Sequence, residues 1–260
     1  MTIHESAARG FAAGADAYER GRPDYAPDAV ARLVNELAIG PDSHVLDLAA
    51  GTGKLTRQLA PTGASIVAVE PVADMRAKLA EILPDVEAIE GSAERIPLPD
   101  RSVDAVVVGQ AFHWFDGARA LSEIHRVLKP SGALGLIWQA RDPSRPWVAR
   151  LDEIIDRHAG AEPRFKSGAW RAAFGATTLF EPLQEAVFEH VHRGDQETIV
   201  DRVASISYIA AMDDARRRAV IDEVRDLLAT DPEVAATALI ELPYRSYLYW
   251  TRARPAQPRS

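Results

Sequence analysis

The sequence predicts a doubly wound α/β fold, in which a mostly parallel sheet is covered by helices on both faces. Between residues 45 and 139, short apolar strand patterns alternate with single helical patterns. A glycine-rich turn follows the first of these strands. Strands that are separated by single helices imply right-handed crossovers and therefore a parallel sheet. The 260 residues, of which 47% are hydrophobic, are enough for a single domain with one substantial core.

The elements of the first half follow from the spacing of apolar residues. Val30, Leu33 and Leu37 recur at helix spacing and predict a helix over residues 27–37. Strands are predicted at residues 45–48, 65–69, 86–89, 103–108 and 133–138. Helices between these strands are predicted at residues 55–59, 73–83 and 118–128.

The second half departs from this alternation after Gln139. Helices are predicted at residues 148–158, 197–211 and 215–229, and strands at residues 187–192 and 239–250. Residues 160–178 are rich in Gly, Pro and Ala and are interpreted as an insertion. The tail at residues 252–260 contains three Arg and two Pro and is predicted to be disordered.

Composition excludes several classes of partner. The 38 acidic and 30 basic side chains give a formal charge of -8, which repels phosphate backbones, so nucleic acid is not expected as a partner. The absence of cysteine removes disulfides and thiolate chemistry and suits a reducing compartment. Residues 1–9 lack the apolar core of a signal peptide, and no run reaches membrane-spanning length. A cytoplasmic protein without a membrane partner is therefore expected.

The turn after the first strand is a candidate ligand site. Gly51 and Gly53 lie where a buried strand turns into a helix at the carboxyl edge of the sheet, which is where ligands bind in open α/β sheets. Glycine permits positive φ and close approach of a ligand, and the helix start offers N–H groups to an anion. A methionine carboxylate or a phosphate would suit these groups.

Three other interpretations of this turn were weighed. A phosphate-binding P-loop would fit Gly53 and Lys54, but it requires glycine at Leu48 and a hydroxyl at Leu55. A dinucleotide fingerprint would require a small residue at Thr56 or, in the other register, at Lys54. A tight turn without any ligand is the third alternative, and it stays open for the glycine pair alone.

Glu70 strengthens the ligand interpretation. It ends the second predicted strand, at about the twenty-residue distance at which this topology places a carboxylate against a ribose. The two carboxylate oxygens can accept both hydrogens of a vicinal diol in charge-assisted hydrogen bonds. Alternatively, Glu70 is an acidic residue favoured by the dipole of the next helix. Together with the glycine turn, the ribose interpretation is preferred.

Four segments resemble, in order, the motifs of class I S-adenosylmethionine-dependent methyltransferases. They are residues 45–53 (VLDLAAGTG), 67–71 (VAVEP) with Met75, 89–98 (IEGSAERIPL) and 125–134 (HRVLKPSGAL). Within the family, the chain most resembles the branch of ubiquinone-biosynthesis C-methyltransferases and trans-aconitate methyltransferase-like proteins, and residues 18–25 and 110–116 favour the latter. Ala49 stands where the family usually has glycine, and Ser92 replaces an aspartate that commonly accepts from adenine.

The resemblance implies a Rossmann-like methyltransferase fold of seven strands with an antiparallel last strand. It implies S-adenosylmethionine as the cofactor and S-adenosylhomocysteine as a product. The predicted single domain, residues 1–260, then has an N-terminal helical cap at 11–40, a cofactor-binding core at 45–139 and acceptor-side insertions at 141–182 and 195–236. The implied cofactor-binding residues are Tyr18, Arg22, Asp47, Ala49, Gly51, Thr52, Gly53, Glu70, Pro71, Met75, Ser92, Ala93 and Gln110.

The acceptor side is predicted from position along the chain. Residues 110–115 follow the fourth strand, at the same sheet edge, and hold His113, a candidate general base or acceptor-orienting donor. Alternatively, His113 only shapes an aromatic cluster. The predicted substrate-binding residues are His113, Trp114, Trp138, Trp170 and Tyr208. Arg141 and Arg202 suit a carboxylate acceptor, or they are merely solvated.

The predicted function is methyl transfer to a small organic acceptor, with no metal and with a monomer or homodimer as the assembly. Two rival functions stay open. One is a nicotinamide-dependent oxidoreductase on the same fold class, and the other is a protein that binds S-adenosylmethionine without catalysis.

Overall fold

The computed structural model describes residues 22–160 and 163–255, which form a seven-stranded sheet with helices around it. The strands are β1 (His44–Leu48), β2 (Ser65–Val69), β3 (Glu87–Ile89), β4 (Val103–Gly109), β5 (Leu128–Arg141), β6 (Gln184–Gly194) and β7 (Ile240–Arg252). The helices are α1 (Pro27–Leu37), α2 (Lys54–Leu59), α3 (Ala73–Ile82), α4 (Gly117–Val127), α5 (Pro146–Asp156), α6 (Ala172–Ala176), α7 (Gln196–Ala204), α8 (Ser207–Ala210) and α9 (Asp214–Thr230). Short 3-10 turns occur at Ala60–Thr62, Phe112–Trp114, Phe165–Ser167 and Ala169–Arg171.

The strand order is β3-β2-β1-β4-β5-β7-β6. Strands β1 to β5 pair in parallel, whereas β7 is antiparallel to both β5 and β6. The predicted mostly parallel sheet with an antiparallel last strand is confirmed. The order reverses between β1 and β4, and ligands of open α/β sheets bind outside the carboxyl ends of the strands at such a point.

Helices cover both faces of the sheet because the central strands are apolar on both sides. Val107 of β4 packs with Leu33 of α1 in one buried cluster, while its neighbour Val106 packs with Leu121 of α4 in another. Successive side chains of a strand point to opposite faces, so the two clusters lie on opposite sides. Gly135 of β5 lets α1 approach closely, since a Cβ there would lie 2.3 Å from Leu33 Cδ1.

Helices α5, α7 and α9 form a helical cap with a core of its own. Leu151, Val203 and Val224, one from each helix, are fully buried together with Tyr244 of β7. Tyr244 pairs with Arg141, which is the last residue of β5. The helical cap therefore adjoins the carboxyl edge of the sheet, next to the crevice that the strand order creates.

The single helix predicted over residues 197–211 is wrong, because the chain forms two helices there. Helix α7 ends at Ala204, and Ile206 is extended before α8 begins. The Ser205 hydroxyl donates to the carbonyl oxygen of Arg202 at 2.8 Å. Such a bond from a side chain to a backbone carbonyl competes with helix continuation.

The two long antiparallel strands extend beyond their predicted bounds. β5 begins at Leu128. It ends at Arg141, because its pairing with β7 continues to Tyr244. The disordered tail predicted from residue 252 is wrong at its start, because Arg252 pairs with Ala133 and the Arg254 N–H donates to the Leu179 carbonyl. Residues 256–260 lie outside the described residues.

Part of the predicted N-terminal cap, residues 11–21, also lies outside the described residues. Within the predicted N-terminal cap, the structure describes helix α1, which has the predicted bounds. Within residues 22–160 and 163–255, no helix combines the length and the apolar character that a membrane crossing requires.

Candidate active site

The backbone after β1 makes a left-handed turn before α2 begins. Ala49, Gly51 and Gly53 all have positive φ, of 59°, 60° and 84°. The Ala49 N–H donates to the carbonyl oxygen of Val69 at 2.7 Å, which ties the turn to the end of β2. Open space surrounds the position where a Gly51 Cβ would lie. The turn thus leaves its main chain accessible at Gly51.

Glu70 lies directly against this turn. Its Oε2 accepts from the Gly51 N–H at 2.9 Å, and its Oε1 accepts from the Val72 N–H at 2.9 Å. The side chain is buried, and burial raises the pKa of the Glu70 carboxyl, while the hydrogen bonds from Val72 and Gly51 oppose that shift. The carboxylate and the glycine turn therefore converge at one sheet edge, as the sequence analysis requires of a nucleoside site.

Asp47 places a second buried carboxyl group beneath the same turn. The Thr56 hydroxyl donates to its Oδ2 at 2.6 Å, whereas Oδ1 is buried without a hydrogen-bond partner among the described residues. Burial raises the pKa of Asp47 from 3.8 to about 7, the hydrogen bonds from Thr56 oppose the shift, and the charge of Glu70 adds to it. The site thus places two buried carboxyl groups beside the turn.

The segment predicted to meet adenine follows β3. Ser92 and Ala93 are both buried, and the Ser92 Oγ has no hydrogen-bond partner within the described parts of the chain. Met75 of α3 is buried, and Pro71 is half-buried at the end of β2. A buried hydroxyl without a partner is costly, and a polar ligand would satisfy it.

Gln110 follows β4 in a strained conformation and lines both pockets of the crevice. Its φ is 60°, which is uncommon for a residue with a side chain. Its Nε2 donates to the Gln139 carbonyl oxygen at 3.1 Å, and its N–H donates to the Ile137 carbonyl oxygen at 2.9 Å. Strain of this kind concentrates at functional sites.

A pocket that we name the turn pocket joins these groups. Its lining residues are Arg22, Pro23, Tyr25, Asp47, Ala49, Ala50, Gly51, Thr52, Lys54, Leu55, Gly109, Gln110, Gln139 and Arg202. The fold thereby brings together seven of the predicted cofactor residues. Six of them line the turn pocket, namely Arg22, Asp47, Ala49, Gly51, Thr52 and Gln110. The seventh, Glu70, accepts a hydrogen bond from the Gly51 N–H. Gly53 is the residue that precedes α2. Tyr18 lies outside the described residues.

A second cavity, which we name the cap pocket, has a volume of about 180 Å³ and shares Arg22, Gln110, Gln139 and Arg202 with the turn pocket. The residues that line only the cap pocket are His113, Trp114, Ala140, Arg141, Asp156, Pro163, Arg164, Phe165, Lys166, Ile206, Ser207 and Tyr208. The predicted substrate residues His113, Trp114 and Tyr208 are thus brought together by the fold.

His113 is a neutral imidazole of defined tautomer. Burial lowers its pKa to about 4, and the charge of Arg22 acts in the same direction. The Trp138 indole N–H donates to His113 Nδ1 at 3.1 Å. A neutral imidazole has one lone-pair nitrogen and one N–H, so Nε2 carries the proton.

Trp138 and Trp170 lie behind the cap pocket, in a buried aromatic cluster. Their ring centroids are 4.6 Å apart, and Trp138 also stacks on Phe165 at 4.8 Å. Neither tryptophan lines the cap pocket, whereas Phe165 does. Among the predicted substrate residues, these two therefore support the site from within the core.

The sequence analysis missed an ion-paired group at the cap pocket. Asp152 of α5 accepts from Arg141 at 2.6 Å and from Lys166 at 2.7 Å. A signal was present, because Asp152 interrupts the apolar face of α5 between Leu151 and Ile155. A buried acid on an apolar helix face requires a basic partner, but the sequence does not show which one.

No group of three or more His, Asp or Glu side chains suited to a metal ion occurs in the part of the chain that the structure describes.

Comparison with known proteins places this geometry in a family. Residues 46–136 match the family model of a methyltransferase domain. An uncharacterized methyltransferase of Mycobacterium tuberculosis is 43% identical over 237 residues, which cover 90% of this chain and 91% of the relative. An uncharacterized methyltransferase-like protein of Schizosaccharomyces pombe is 34% identical, with 92% and 94% coverage.

Solved structures show the same fold. A protein of Anaeromyxobacter dehalogenans that is assigned as a type II methyltransferase is similar with a TM-score of 0.63 and 25% identity, over 92% of this chain and 99% of that one. The YcgJ protein of Bacillus subtilis has a TM-score of 0.57 and 19% identity, over 88% of this chain and 99% of that one. The chain belongs to the class I S-adenosylmethionine-dependent methyltransferases.

Proposed function

We propose that this methyltransferase transfers the methyl group of S-adenosylmethionine to a small organic acceptor held in the cap pocket. The observation that carries the proposal is the convergence of the glycine turn and Glu70, whose Oε2 lies 2.9 Å from the Gly51 nitrogen. The cap pocket adjoins the turn pocket through Gln110 and Gln139, so an acceptor there would be next to the donor.

The side chains around the turn suit an adenosyl sulfonium. Glu70 would hold the ribose diol, and Arg22 would pair with the methionine carboxylate. The unpartnered Ser92 hydroxyl and the backbone at Ala93 would meet adenine. Asp47 and Glu70 are buried acids, and a nearby cation stabilises the ionised form of such groups. The other donor residues that we propose are Ala49, Gly51, Thr52, Gly53, Pro71, Met75 and Gln110.

When bound, S-adenosylmethionine supplies a methyl carbon whose bond to sulfur breaks as a lone pair of the acceptor forms the new bond, which leaves S-adenosylhomocysteine. The chain itself has to align the two reactants and exclude water. Gln110, at the junction of the two pockets, and His113, in the cap pocket, lie on the segment between β4 and α4 and would perform the alignment.

His113 is assigned the role of an orienting donor in this proposal. With Nδ1 occupied by the Trp138 N–H, its other nitrogen offers a proton to an acceptor oxygen and has no lone pair with which to remove one. A pKa of about 4 keeps the ring neutral at physiological pH, so this donor does not titrate away. Trp138 is a positioning residue that acts through His113.

We expect His113→Ala to lower kcat about tenfold, which is the effect of losing one hydrogen bond, and to leave the affinity for S-adenosylhomocysteine unchanged. A general base would cost about a hundredfold or more. Trp138→Phe keeps an aromatic ring but removes the donor to Nδ1, so we expect the pKa of His113 to rise, as measured by NMR titration. A hundredfold loss in His113→Ala, with a rate that depends on a group titrating near neutral pH, would contradict the donor role.

The function itself is tested by incubating the purified protein with S-adenosylmethionine that carries a labelled methyl group and a set of small-molecule acceptors. We expect label in a small-molecule product together with S-adenosylhomocysteine. Thermal-shift titrations with S-adenosylhomocysteine and with NAD separate the rival functions. Stabilisation by NAD alone would favour an oxidoreductase, and donor binding without any turnover would favour a non-catalytic binding protein.

A further inference from the structure

Arg202 is a buried cation at the junction of the two pockets, and no carboxylate of the described residues forms an ion pair with it. Only 6% of the residue is exposed. Its Nε donates to the Tyr244 hydroxyl at 3.0 Å, while Nη1 is buried and has no hydrogen-bond partner within residues 22–160 and 163–255. A buried charge without a partner is costly, so an arginine in this position indicates an anionic ligand.

The neighbours of Arg202 make its charge more costly still. The pKa of Arg202 is lowered to about 10, first by burial and then by the positive charges of Arg22 and Arg141, while Tyr244 opposes the shift. Arg141 does have a carboxylate, but it shares Asp152 with Lys166. The carboxylate of Asp152 therefore pairs with Arg141 and Lys166 and not with Arg202.

The lining of the cap pocket has the same bias. Among the described residues, its lining holds four arginines and one lysine, namely Arg22, Arg141, Arg164, Arg202 and Lys166, and the single carboxylate of Asp156. Asp156 is already paired with Arg164 at 3.1 Å. Clefts lined by one sign of charge concentrate ligands of the opposite sign. This local field runs against the net charge of the whole chain, which is -8.

We propose that Arg202 anchors a carboxylate of the methyl acceptor in the cap pocket, and hence that the acceptor is a small organic acid. The inference rests on the proposed function. A guanidinium binds a carboxylate through two parallel N–H donors, and Nη1 supplies one that the fold does not use.

Arg202 has a second candidate ligand, which is the methionine carboxylate of the donor. The position of Arg202 favours the acceptor. Arg202 is on α7 of the helical cap, five and six residues before Ser207 and Tyr208, which line only the cap pocket. Arg141, the neighbouring arginine, also lines the cap pocket and not the turn pocket.

The test compares Arg202→Met and Arg202→Lys with Arg225→Gln. Arg225 is an exposed arginine that links α9 to Glu197 of α7 and is not a lining residue of either pocket, so it controls for loss of an arginine in the cap. The wild type is expected to transfer label to members of a panel of small carboxylic acids and not to the matched carboxamides. Arg202→Met should raise the KM for the methylated acid about 30-fold or more. Arg202→Lys should lie between, and Arg225→Gln should match the wild type.

Donor binding separates the two sources of the carboxylate. S-adenosylhomocysteine carries the amino-acid carboxylate, whereas 5′-methylthioadenosine has the same nucleoside without it. Unchanged affinities of Arg202→Met for both ligands support the acceptor site. Weaker binding of S-adenosylhomocysteine alone would assign Arg202 to the donor and overturn the proposal. Equal methylation of acids and carboxamides, or methylation of uncharged acceptors but of no acid, would also overturn it.

Failure of the proposed function looks different, because the wild type would then either not bind S-adenosylhomocysteine, or bind it and transfer label to no small molecule of any class. Folding of the variants is checked by thermal unfolding. Since Arg202→Met removes a buried charge that lacks a carboxylate, we expect its Tm to equal or exceed that of the wild type. A Tm well below that of Arg225→Gln would show that the guanidinium has an internal partner, and would count against an anion site.

Discussion

Replacing Glu70 with alanine is expected to weaken the binding of S-adenosylhomocysteine about ten- to a hundredfold, which corresponds to loss of a charged hydrogen-bond partner. Two effects act together. The ribose loses its proposed acceptor, and the Gly51 and Val72 N–H groups lose the carboxylate oxygens that they contact at 2.9 Å. Isothermal titration calorimetry with S-adenosylhomocysteine measures the change.

Glu90→Ala is the matched control for this experiment. Glu90 is an exposed acid on the same side of the sheet, and it pairs with Arg76 at 2.9 Å. Arg76 also donates to the Glu70 carbonyl oxygen, so the control removes a charge close to the site without removing the proposed ribose acceptor. Equal affinities of Glu70→Ala and Glu90→Ala would remove Glu70 from the donor site, and with it the main support for the proposed function.

The stability of the protein is expected to fall between about pH 4 and pH 7 because of Asp47. In the unfolded chain this carboxyl ionises near 3.8, whereas burial raises its pKa in the folded protein to about 7. Between these values the folded state binds a proton that the unfolded state has released, so stability decreases as the pH rises. The full effect is about 4 kcal/mol, on the order of 1.4 kcal/mol for each pH unit between the two pKa values.

Asp47→Asn isolates this contribution, because the amide keeps the size of the side chain and an oxygen that can accept from Thr56. The free energy of unfolding from urea titrations at pH 4.5, 6 and 8 is the measurement. We expect the wild type to lose stability relative to Asp47→Asn as the pH rises, and to level off above about pH 7. A difference that is independent of pH would show that Asp47 ionises normally in the folded protein.

Much of the fold could be predicted because its signals are local. Helix α1 and strand β2 have the predicted bounds, because the apolar spacing lies within each segment and nearby Gly and Pro residues mark where it ends. The helix predicted over residues 197–211 failed because a serine hydroxyl, not the apolar spacing, decides where α7 ends. The ends of β5 and β7 were missed because they depend on the antiparallel partner.

The candidate site divides in the same way. The sequence by itself determined the glycine turn, the sheet edge at which it lies and the carboxylate of Glu70, because strand order and chain distance bring these groups together in any fold of this topology. Only the tertiary structure decided that Trp138 donates to His113 and that Arg202 is buried without a carboxylate partner within the described chain. The Trp138–His113 hydrogen bond joins residues that are 25 positions apart, and the Arg202–Tyr244 hydrogen bond joins residues that are 42 positions apart. The charge balance around a side chain depends on all the elements that pack against it.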